Sequence, residues 1–322
     1  MRWGVLGPGR IARSFLTGLA GSMSETAVAV GSRDAGRAKA VADEFGIPRA
    51  YGSYEELLGD DGVEAVYVAL PNALHAEWSG RAAAAGRHVL CEKPLGSTAA
   101  EAEAMLATAR QHGVLLMEAF MYRFHPRTLA LADLVGGGGI GDVRLVRASF
   151  GFTVTDTANV RLSAELAGGA LMDVGCYPVN VARMLAGPVV GVGARARWDE
   201  VDVTLAGVLD HAGGALTTLS CSLASGRHNV LQVVGSDGVI DVPEPYTPAR
   251  DAPSSLYVTR GTDTEELTFA PVDQYTAEAE GFAALVAAGH EGAAALPQMP
   301  LQESLDNATT IEALLDSARA RS

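Results

Sequence analysis

Three side chains in this sequence suit proton transfer at an alcohol or carbonyl oxygen. Lys93 directly follows the apolar stretch His88-Val89-Leu90-Cys91-Glu92, and Asp173 precedes Tyr177 by four positions. That spacing places the carboxylate and the phenol on one face of a helix. A lysine ammonium can bind an oxygen and lower the pKa of a neighbouring acid. We therefore take Lys93, Asp173 and Tyr177 as candidate catalytic residues.

A glycine-rich turn near the start of the chain is typical of a dinucleotide phosphate site. Gly7-Pro8-Gly9-Arg10-Ile11-Ala12 matches G-x-G-x-x-A, directly after an apolar strand and at the start of an amphipathic stretch. The first glycine permits the turn, the second lets the backbone approach a pyrophosphate, and the small Ala12 allows close packing. The following helix offers N–H groups to phosphates. Gly7, Gly9, Arg10 and Ile11 are the predicted contacts.

The residues after the second apolar strand indicate which dinucleotide binds. Ser32, Arg33 and Arg37 lie where an NAD enzyme places an acidic residue for the ribose 2′-hydroxyl. Arginine gives charge-assisted, forked hydrogen bonds to a phosphate, which favours NADP over NAD. Asp34 complicates this interpretation, because it can pair with an arginine or begin a helix.

Other predicted strand ends carry further candidate ligands. In doubly wound sheets, ligands bind outside the carboxyl ends of the strands. For the cofactor, the residues at these ends are Leu70, Asn72, His75, Glu92 and Lys93. For the wall of a substrate cleft, Tyr122 and Arg123 lie where the chain leaves the first strand–helix region.

These residues are positioned by two kinds of secondary-structure pattern. Over about the first 120 residues, near-continuous apolar strands alternate with helices, which predicts a parallel sheet covered on both faces. Beyond about residue 125, alternating strands predict a mainly antiparallel sheet, with helices near 173–185, 275–288 and 301–319. The predicted fold class is α/β: a Rossmann domain over residues 1–121, and an α+β domain with an open sheet over 122–322.

Composition excludes several classes of protein. The chain has 322 residues, 48% of them hydrophobic, and a formal net charge of −14, which argues against nucleic acid or an anionic membrane as partner. No apolar run reaches the ~18 residues of a membrane span. The three cysteines and seven histidines show no disulfide framework and no spacing of metal ligands. With no export signal apparent at the N-terminus, we expect a cytoplasmic protein without a bound metal.

Four motifs in register resemble the Gfo/Idh/MocA family, named for glucose–fructose oxidoreductase and inositol dehydrogenase. They are residues 7–12, Leu70-Pro71-Asn72, Glu92-Lys93-Pro94 and Asp173-Val174-Gly175-Cys176-Tyr177. Residues 117–126 and Asn159-Val160-Arg161 resemble a branch that contains NADP-dependent xylose dehydrogenases, dihydrodiol dehydrogenases, glucose–fructose oxidoreductase and nucleotide-sugar 3-ketoreductases. Inositol dehydrogenase-like members carry histidine at the position of Tyr177, which argues against that assignment.

The resemblance implies reversible hydride transfer between NADP and a carbinol or carbonyl carbon of a sugar, cyclic polyol or diol. Lys93, Tyr122, Arg123, Arg161, Asp173 and Tyr177 are then the expected substrate contacts. Tyr177 is the first candidate for the acid/base, and an exchange of roles with Lys93 stays open. The alternatives are a keto-sugar reductase acting on a nucleotide-linked hexose, and a non-catalytic NADP-binding sensor. The resemblance also implies a homodimer or homotetramer formed through the C-terminal sheet.

Overall fold

The computed structural model describes residues 1–289 and 296–320, and they divide into two compact units. The first contains Met1–Phe124 and Asp273–Leu305, and the second contains His125–Val272 and the C-terminal segment from Asp306 onward. A domain boundary between residues 121 and 122 stays a prediction.

The first unit is built on a parallel sheet. Within the described residues its six strands lie in the order β3-β2-β1-β4-β5-β6, the order of a dinucleotide-binding doubly wound fold. Their bounds are β1 (Arg2–Leu6), β2 (Thr26–Gly31), β3 (Arg49–Tyr51), β4 (Ala65–Val68), β5 (His88–Glu92) and β6 (Leu116–Ala119). From β1 the successive strands β2 and β3 are added on one side of the sheet, and β4, β5 and β6 on the other. The carboxyl ends of β1 and β4 therefore flank the crevice where such folds bind ligands.

Helices cover the strands of this unit because the strands are apolar on both faces. Every residue of β4 is buried, and α1 turns Ala12, Phe15 and Leu19 toward the core. The helices are α1 (Arg10–Ala20), α2 (Ala35–Phe45), α3 (Tyr54–Leu58), α4 (His75–Ala84), α5 (Ala99–His112) and, from the C-terminal part of the chain, α8 (Gln274–Ala287). Short 3₁₀ turns at Asn72–Leu74 and Met121–Phe124 follow β4 and β6.

The second unit contains an eight-stranded sheet in its described residues. The order is β14-β13-β12-β11-β7-β10-β9-β8, and each neighbouring pair is antiparallel except β7 with β10. The strands are β7 (Val143–Thr153), β8 (Val189–Trp198), β9 (Asp202–His211), β10 (Leu216–Ser222), β11 (Ala224–Gly235), β12 (Val239–Pro243), β13 (Ser254–Arg260) and β14 (Asp263–Phe269). The helices of this unit are α6 (Pro126–Gly136), α7 (Cys176–Ala186) and most of α9 (Leu301–Arg319).

The predicted fold class is confirmed, and the differences lie in short or polar elements. β3 has three residues, α3 has five, and β14 is almost wholly exposed, so none of them carries a strong hydrophobic period. The last strand of the first unit begins at Leu116 rather than Val114. No helix in residues 1–289 or 296–320 has both the length and the apolar character that crossing a membrane requires.

Candidate active site

The turn after β1 has the geometry of a phosphate cradle. Gly7 has φ +95°, and a Cβ on it would lie 2.6 Å from the carbonyl oxygen of Ala69, so only glycine fits. Beside Gly9 no described atom lies within 4 Å of the position of a Cβ, and no described side chain caps the first turn of α1. Arg10 is exposed and Ile11 is half-buried at this helix start. These backbone N–H groups suit a pyrophosphate, so the turn fits a dinucleotide.

The end of β2 gathers positive charge. Asp34 accepts a hydrogen bond from the N–H of Arg37 at 3.1 Å, which caps α2. Arg33 and Arg37 are exposed, and both guanidinium charges act on Tyr54, whose pKa is nonetheless raised because burial outweighs them. Ser32 is buried, with its hydroxyl accepting from the N–H of Asp34 at 3.1 Å. The Asp34 carboxylate therefore caps α2, and Arg33 and Arg37 are exposed beside it.

His75 joins the ends of two strands instead of facing solvent. Its side chain is fully buried, with Nδ1 2.9 Å from the carbonyl oxygen of Pro94 and Nε2 2.9 Å from that of Leu70. Burial is the main cause that lowers its pKa, and the Lys93 ammonium lowers it further. Asn72 is half-buried at the start of the 3₁₀ turn before it. A direct contact of these residues with a cofactor stays a prediction.

The segment that carries Lys93 is bounded by buried polar side chains. Glu92 is 7% exposed and accepts a hydrogen bond from the Tyr67 hydroxyl. Lys93 itself is half-buried and precedes a cis peptide bond to Pro94. The N–H of Leu95 donates to Oε1 of Glu118, 2.9 Å away. Burial raises the pKa of Glu118 to about 7.

Tyr122 and Arg123 are both interior residues of the first unit. Tyr122 is 1% exposed and packs edge-on against Phe120. Arg123 is also 1% exposed, and its guanidinium binds the Glu303 carboxylate at 2.9 Å and the carbonyl oxygens of Pro297 and Gln298. These contacts position the segment that follows β6, and a substrate contact of either side chain stays a prediction.

In the second unit, a capped helix carries Asp173 and Tyr177. A π-helical turn at Leu171–Gly175 leads directly into α7, so the helix begins before the predicted start at Asp173. The cap is Asp202, whose Oδ2 accepts from the N–H of Leu171 at 2.8 Å. A Cβ on Gly169 would lie 2.2 Å from Oδ1 of Asp202, which explains the glycine there. Burial raises the pKa of Asp202 to about 7.

Asp173 is paired rather than capping its own helix. Nε of Arg161 donates to Oδ2 of Asp173 at 2.6 Å, from the 3₁₀ turn Val160–Leu162. The guanidinium of Arg161 also lies over the ring of Phe152 at 6.0 Å. The structure thus brings together two of the predicted site residues. Arg161 fixes the direction in which the Asp173 carboxylate points.

Tyr177 lies in an aromatic cluster. Its side chain is 4% exposed, and its ring centroid is 5.6 Å from that of Phe150 and 5.3 Å from that of Tyr246. Phe150 and Tyr246 stack on one another at 5.4 Å. Arg127 holds the segment before Tyr246 through the carbonyl oxygens of Pro243 and Glu244, at 2.9 and 2.8 Å. The ring of Tyr177 is therefore fixed by packing.

Sequence reasoning missed several residues that shape these sites, namely Tyr67, Glu118, Asp202 and Tyr246. The available signal was a polar side chain within an apolar strand, as at Tyr67 in β4 and Glu118 in β6. A buried polar residue must find a partner, so such positions mark internal networks. Among the described residues, no cluster of three histidine, cysteine or carboxylate side chains is arranged to hold a metal ion.

A Rossmann sheet with an uncapped glycine turn, beside strand ends rich in polar side chains, defines a dinucleotide-dependent oxidoreductase. Residues 1–120 match the model of the oxidoreductase family with an NAD-binding Rossmann fold, and residues 128–241 match the GFO/IDH/MocA C-terminal domain. The chain belongs to the Gfo/Idh/MocA family, as its motifs predict.

Named relatives match most of the chain or nearly all of it. It is 41% identical to a D-xylose 1-dehydrogenase (NADP(+)) of Haloferax volcanii, over 99% of this chain and 97% of that one. It is 39% identical to the trans-1,2-dihydrobenzene-1,2-diol dehydrogenase of Mus musculus, over 77% of this chain and 76% of that one.

A solved structure shows the same fold with ligands bound. It is a 3-ketoreductase from Actinomadura kijaniata in complex with NADP and TDP-benzene, with a TM-score of 0.90 and 34% identity over 98% of this chain and 97% of that one. The same ketoreductase has also been solved with one tyrosine replaced by phenylalanine, and with one lysine replaced by alanine or glutamate.

Proposed function

We propose that this protein is an NADP-dependent oxidoreductase that transfers a hydride between the nicotinamide and a carbinol or carbonyl carbon of a sugar, cyclic polyol or diol. The observation that carries the proposal is the full-length likeness to an NADP-dependent D-xylose dehydrogenase, in a chain that keeps an open phosphate cradle at Gly9. When bound, the cofactor accepts or returns the hydride. The chain's own residues bind it, orient the substrate and move a proton.

For the cofactor, the uncapped start of α1 binds the pyrophosphate, and Arg33 and Arg37 bind the 2′-phosphate. Asp34 does not oppose this role, because its carboxylate caps α2 through the N–H of Arg37. The exposure of both guanidinium groups supports the assignment, since a phosphate can reach them from solvent. Of the other predicted cofactor residues, Leu70, Asn72, Glu92 and Lys93 lie at or just after the ends of β4 and β5, and the buried His75 supports them through the carbonyl oxygens of Leu70 and Pro94.

For proton transfer, Tyr177 exchanges the proton of the reacting hydroxyl, and Lys93 stabilises the oxygen. A tyrosine with an ordinary pKa of about 10 needs roughly 4 kcal/mol of anion stabilisation to act near pH 7, which a nearby ammonium and a positive nicotinamide can supply. The tyrosine and the lysine replaced in the Actinomadura kijaniata ketoreductase are separated by the same number of residues as Lys93 and Tyr177. An exchange of their roles stays open.

Asp173 orients the substrate, and Arg161 orients Asp173. The 2.6 Å ion pair supports this order, since a carboxylate held by a guanidinium points in one direction. The helix cap at Asp202 fixes the backbone that carries Asp173.

A turnover screen tests the proposal. The purified chain is offered NADP⁺ with D-xylose, other aldoses, polyols and trans-1,2-dihydrobenzene-1,2-diol, and nicotinamide reduction is followed at 340 nm. We expect turnover with at least one of these compounds, faster with NADP⁺ than with NAD⁺. No turnover in any well, with NADP⁺ nevertheless bound in calorimetry, would support the non-catalytic sensor instead.

Cofactor choice has its own variant. Arg33→Ala removes one charged partner of the 2′-phosphate, so NADP⁺ should bind about tenfold or more weakly while NAD⁺ binding is unchanged. Lys39→Ala, at an exposed residue of the helix α2 that follows Arg33 and paired with Asp43, is the matched control. Equal weakening of both cofactors by Arg33→Ala would contradict the 2′-phosphate assignment.

A second candidate function is reduction of a keto-sugar linked to a nucleotide. It is favoured by the likeness to the ketoreductase solved with TDP-benzene. The same residues would serve, with the hydride moving from NADPH to the ketone. NADPH with dTDP-linked keto-sugars belongs on the same plate, and a kcat/KM there well above that for free sugars would favour this candidate.

We also propose a cytoplasmic homo-oligomer assembled through the sheet of the second unit. Val208, Leu216 and Val230 are 44%, 45% and 50% exposed, and strand register places all three on one face of that sheet. Exposed apolar side chains on one face of a sheet suit contact with a second copy of the chain. Light scattering at micromolar concentration should give a mass of at least two chains, and Val208→Lys with Val230→Lys should shift it to one. The three cysteines of the protein are buried and form no disulfide, as in proteins of reducing compartments.

A further inference from the structure

His75 and Glu118 contact the short segment Lys93–Leu95, which follows β5, and they lie in two different elements. His75 begins α4, and Glu118 lies in the neighbouring strand β6. Each bonds a main-chain atom of the segment: Nδ1 of His75 lies 2.9 Å from the Pro94 carbonyl oxygen, and Oε1 of Glu118 lies 2.9 Å from the Leu95 nitrogen. The Lys93 side chain starts one residue before these two bonds.

Both side chains are interior residues whose burial needs a reason. His75 is 0% exposed and Glu118 is 1% exposed. A buried imidazole or carboxyl costs free energy unless it is hydrogen-bonded, so a buried polar group that bonds to main chain defines where that main chain lies. The second nitrogen of His75 lies 2.9 Å from the Leu70 carbonyl oxygen, which ties the end of β4 to the same histidine.

We propose that His75 and Glu118 are positioning residues that fix the Pro94–Leu95 peptide directly after Lys93, and that they act on the reaction only through Lys93. The inference rests on the proposed function, in which Lys93 stabilises the reacting oxygen. A displacement of a catalytic group by about 1 Å can cost on the order of a hundredfold in rate. Holding both the carbonyl and the N–H that follow Lys93 prevents such a displacement.

A neutral imidazole carries one N–H, so only one of the two carbonyl oxygens accepts a hydrogen bond from it, and the inference requires the Nδ1–H tautomer, which donates to Pro94. Two substitutions at position 75 separate the two contacts of the histidine. Asparagine places its amide nitrogen near the position of Nδ1 and keeps the bond to Pro94, whereas glutamine places it near Nε2 and keeps the bond to Leu70. We expect His75→Asn to keep kcat within about threefold of wild type and His75→Gln to lower it by about tenfold or more. In both variants the Kd for NADP⁺ should stay close to the wild-type value.

Substitutions of the carboxyl provide an independent pair. Glu118→Gln keeps an oxygen acceptor for the N–H of Leu95, whereas Glu118→Met removes it. We expect kcat near wild type for the first and about tenfold lower for the second. The matched control is His211→Gln in the second unit. His211 is 1% exposed, with ring nitrogens 2.8 Å from the Gly187 carbonyl oxygen and the Thr217 hydroxyl, so this variant should lower the Tm and leave kcat unchanged.

A double-mutant cycle with Lys93→Met tests whether the two residues act through the lysine. In that background His75→Gln and Glu118→Met should lower kcat no further, since the group that they position is gone. An undiminished effect there, or equal kcat values for His75→Asn and His75→Gln, would overturn the inference. Full activity of Lys93→Met alone would instead overturn the proposed role of Lys93 in the reaction, and no turnover by the wild type would overturn the proposed function, which keeps the failures distinguishable.

Discussion

The segment around Lys93 and the helix around Tyr177 are held by different kinds of interaction. Near Lys93, three buried polar side chains bond to adjacent residues: Tyr67 to Glu92, His75 to Pro94 and Glu118 to Leu95. Near Tyr177, a carboxylate caps the helix and two aromatic rings pack on the phenol.

Because their interactions differ, the two regions should respond differently to substitution. A hydrogen bond depends on one atom at one distance and angle, and a buried partner left without it costs about 1–3 kcal/mol. Packing depends on shape, so a replacement that conserves volume usually costs less than about 1.5 kcal/mol. Removal of a single oxygen should therefore matter around Lys93 and matter little around the Tyr177 cluster, with Tyr177 itself as the exception.

Lys93→Met gives the largest expected effect. It keeps the length of the side chain and removes the charge, so kcat should fall by about three orders of magnitude while NADP⁺ binds nearly as before. Steady-state kinetics with calorimetry measure both quantities. A loss confined to NADP⁺ affinity would show that Lys93 serves only the cofactor.

Tyr177→Phe tests the one oxygen that should matter in the packed region. The ring keeps its contacts with Phe150 and Tyr246, so the Tm should change by no more than about 2 °C, while kcat falls by about a hundredfold. In the direction of NADP⁺ reduction, where the phenolate takes the proton, the acidic limb of the pH–rate profile should also move. Unchanged turnover would assign the proton transfer to Lys93.

Removing one tyrosine hydroxyl from each region compares the two regions directly. Tyr67→Phe removes the donor to the buried Glu92 and keeps the stacking on Phe15 at 3.8 Å, so kcat should fall by about tenfold. Tyr246→Phe keeps the ring that packs on Tyr177, so kcat should stay within about twofold. Equal effects of the two substitutions would show that the two regions do not differ as described.

Asp202→Asn should leave kcat close to the wild-type value and act instead on the pH dependence of stability. The pKa of Asp202 is raised by burial from an ordinary 3.8 to about 7, so folding favours the protonated form. The contribution of this carboxyl to the free energy of unfolding is complete below about pH 4. It is lost as the pH rises through about 7, which lowers the free energy of unfolding by up to ~4 kcal/mol. Asparagine keeps an oxygen for the N–H of Leu171, and cannot ionise.

The measurement is the free energy of unfolding of wild type and Asp202→Asn in urea between pH 4 and 8. The two proteins should be similar at pH 4, and the variant should be the more stable at pH 8. A constant difference across the range would mean that Asp202 does not titrate on unfolding. Glu118 also has a pKa raised to about 7, so Glu118→Gln gives a comparable curve for the Lys93 region.

Local patterns in the sequence were sufficient for the architecture and for the phosphate-binding turn. The central strands of the first unit are largely apolar, those of the second alternate, and each pattern follows from whether one or both faces are covered. Gly7 and Gly9 were identifiable because a backbone requirement appears directly as a residue type. The partner of the Asp173 carboxylate needed the structure. Whether this carboxylate caps its own helix or pairs with Arg161 depends on a segment twelve residues away.

The family, the parallel sheet and the candidate catalytic residues were predictable from the sequence, because they depend on spacing within one element or on motifs in register. Only the folded chain shows which polar side chains hold the candidate catalytic residues in place. Tyr67, His75 and Glu118 come from three elements and bond to one segment, and nothing in their local sequence names the partner. Partners in a packed interior are set by the crossing of elements that lie far apart along the chain, so they become visible only once the chain is folded.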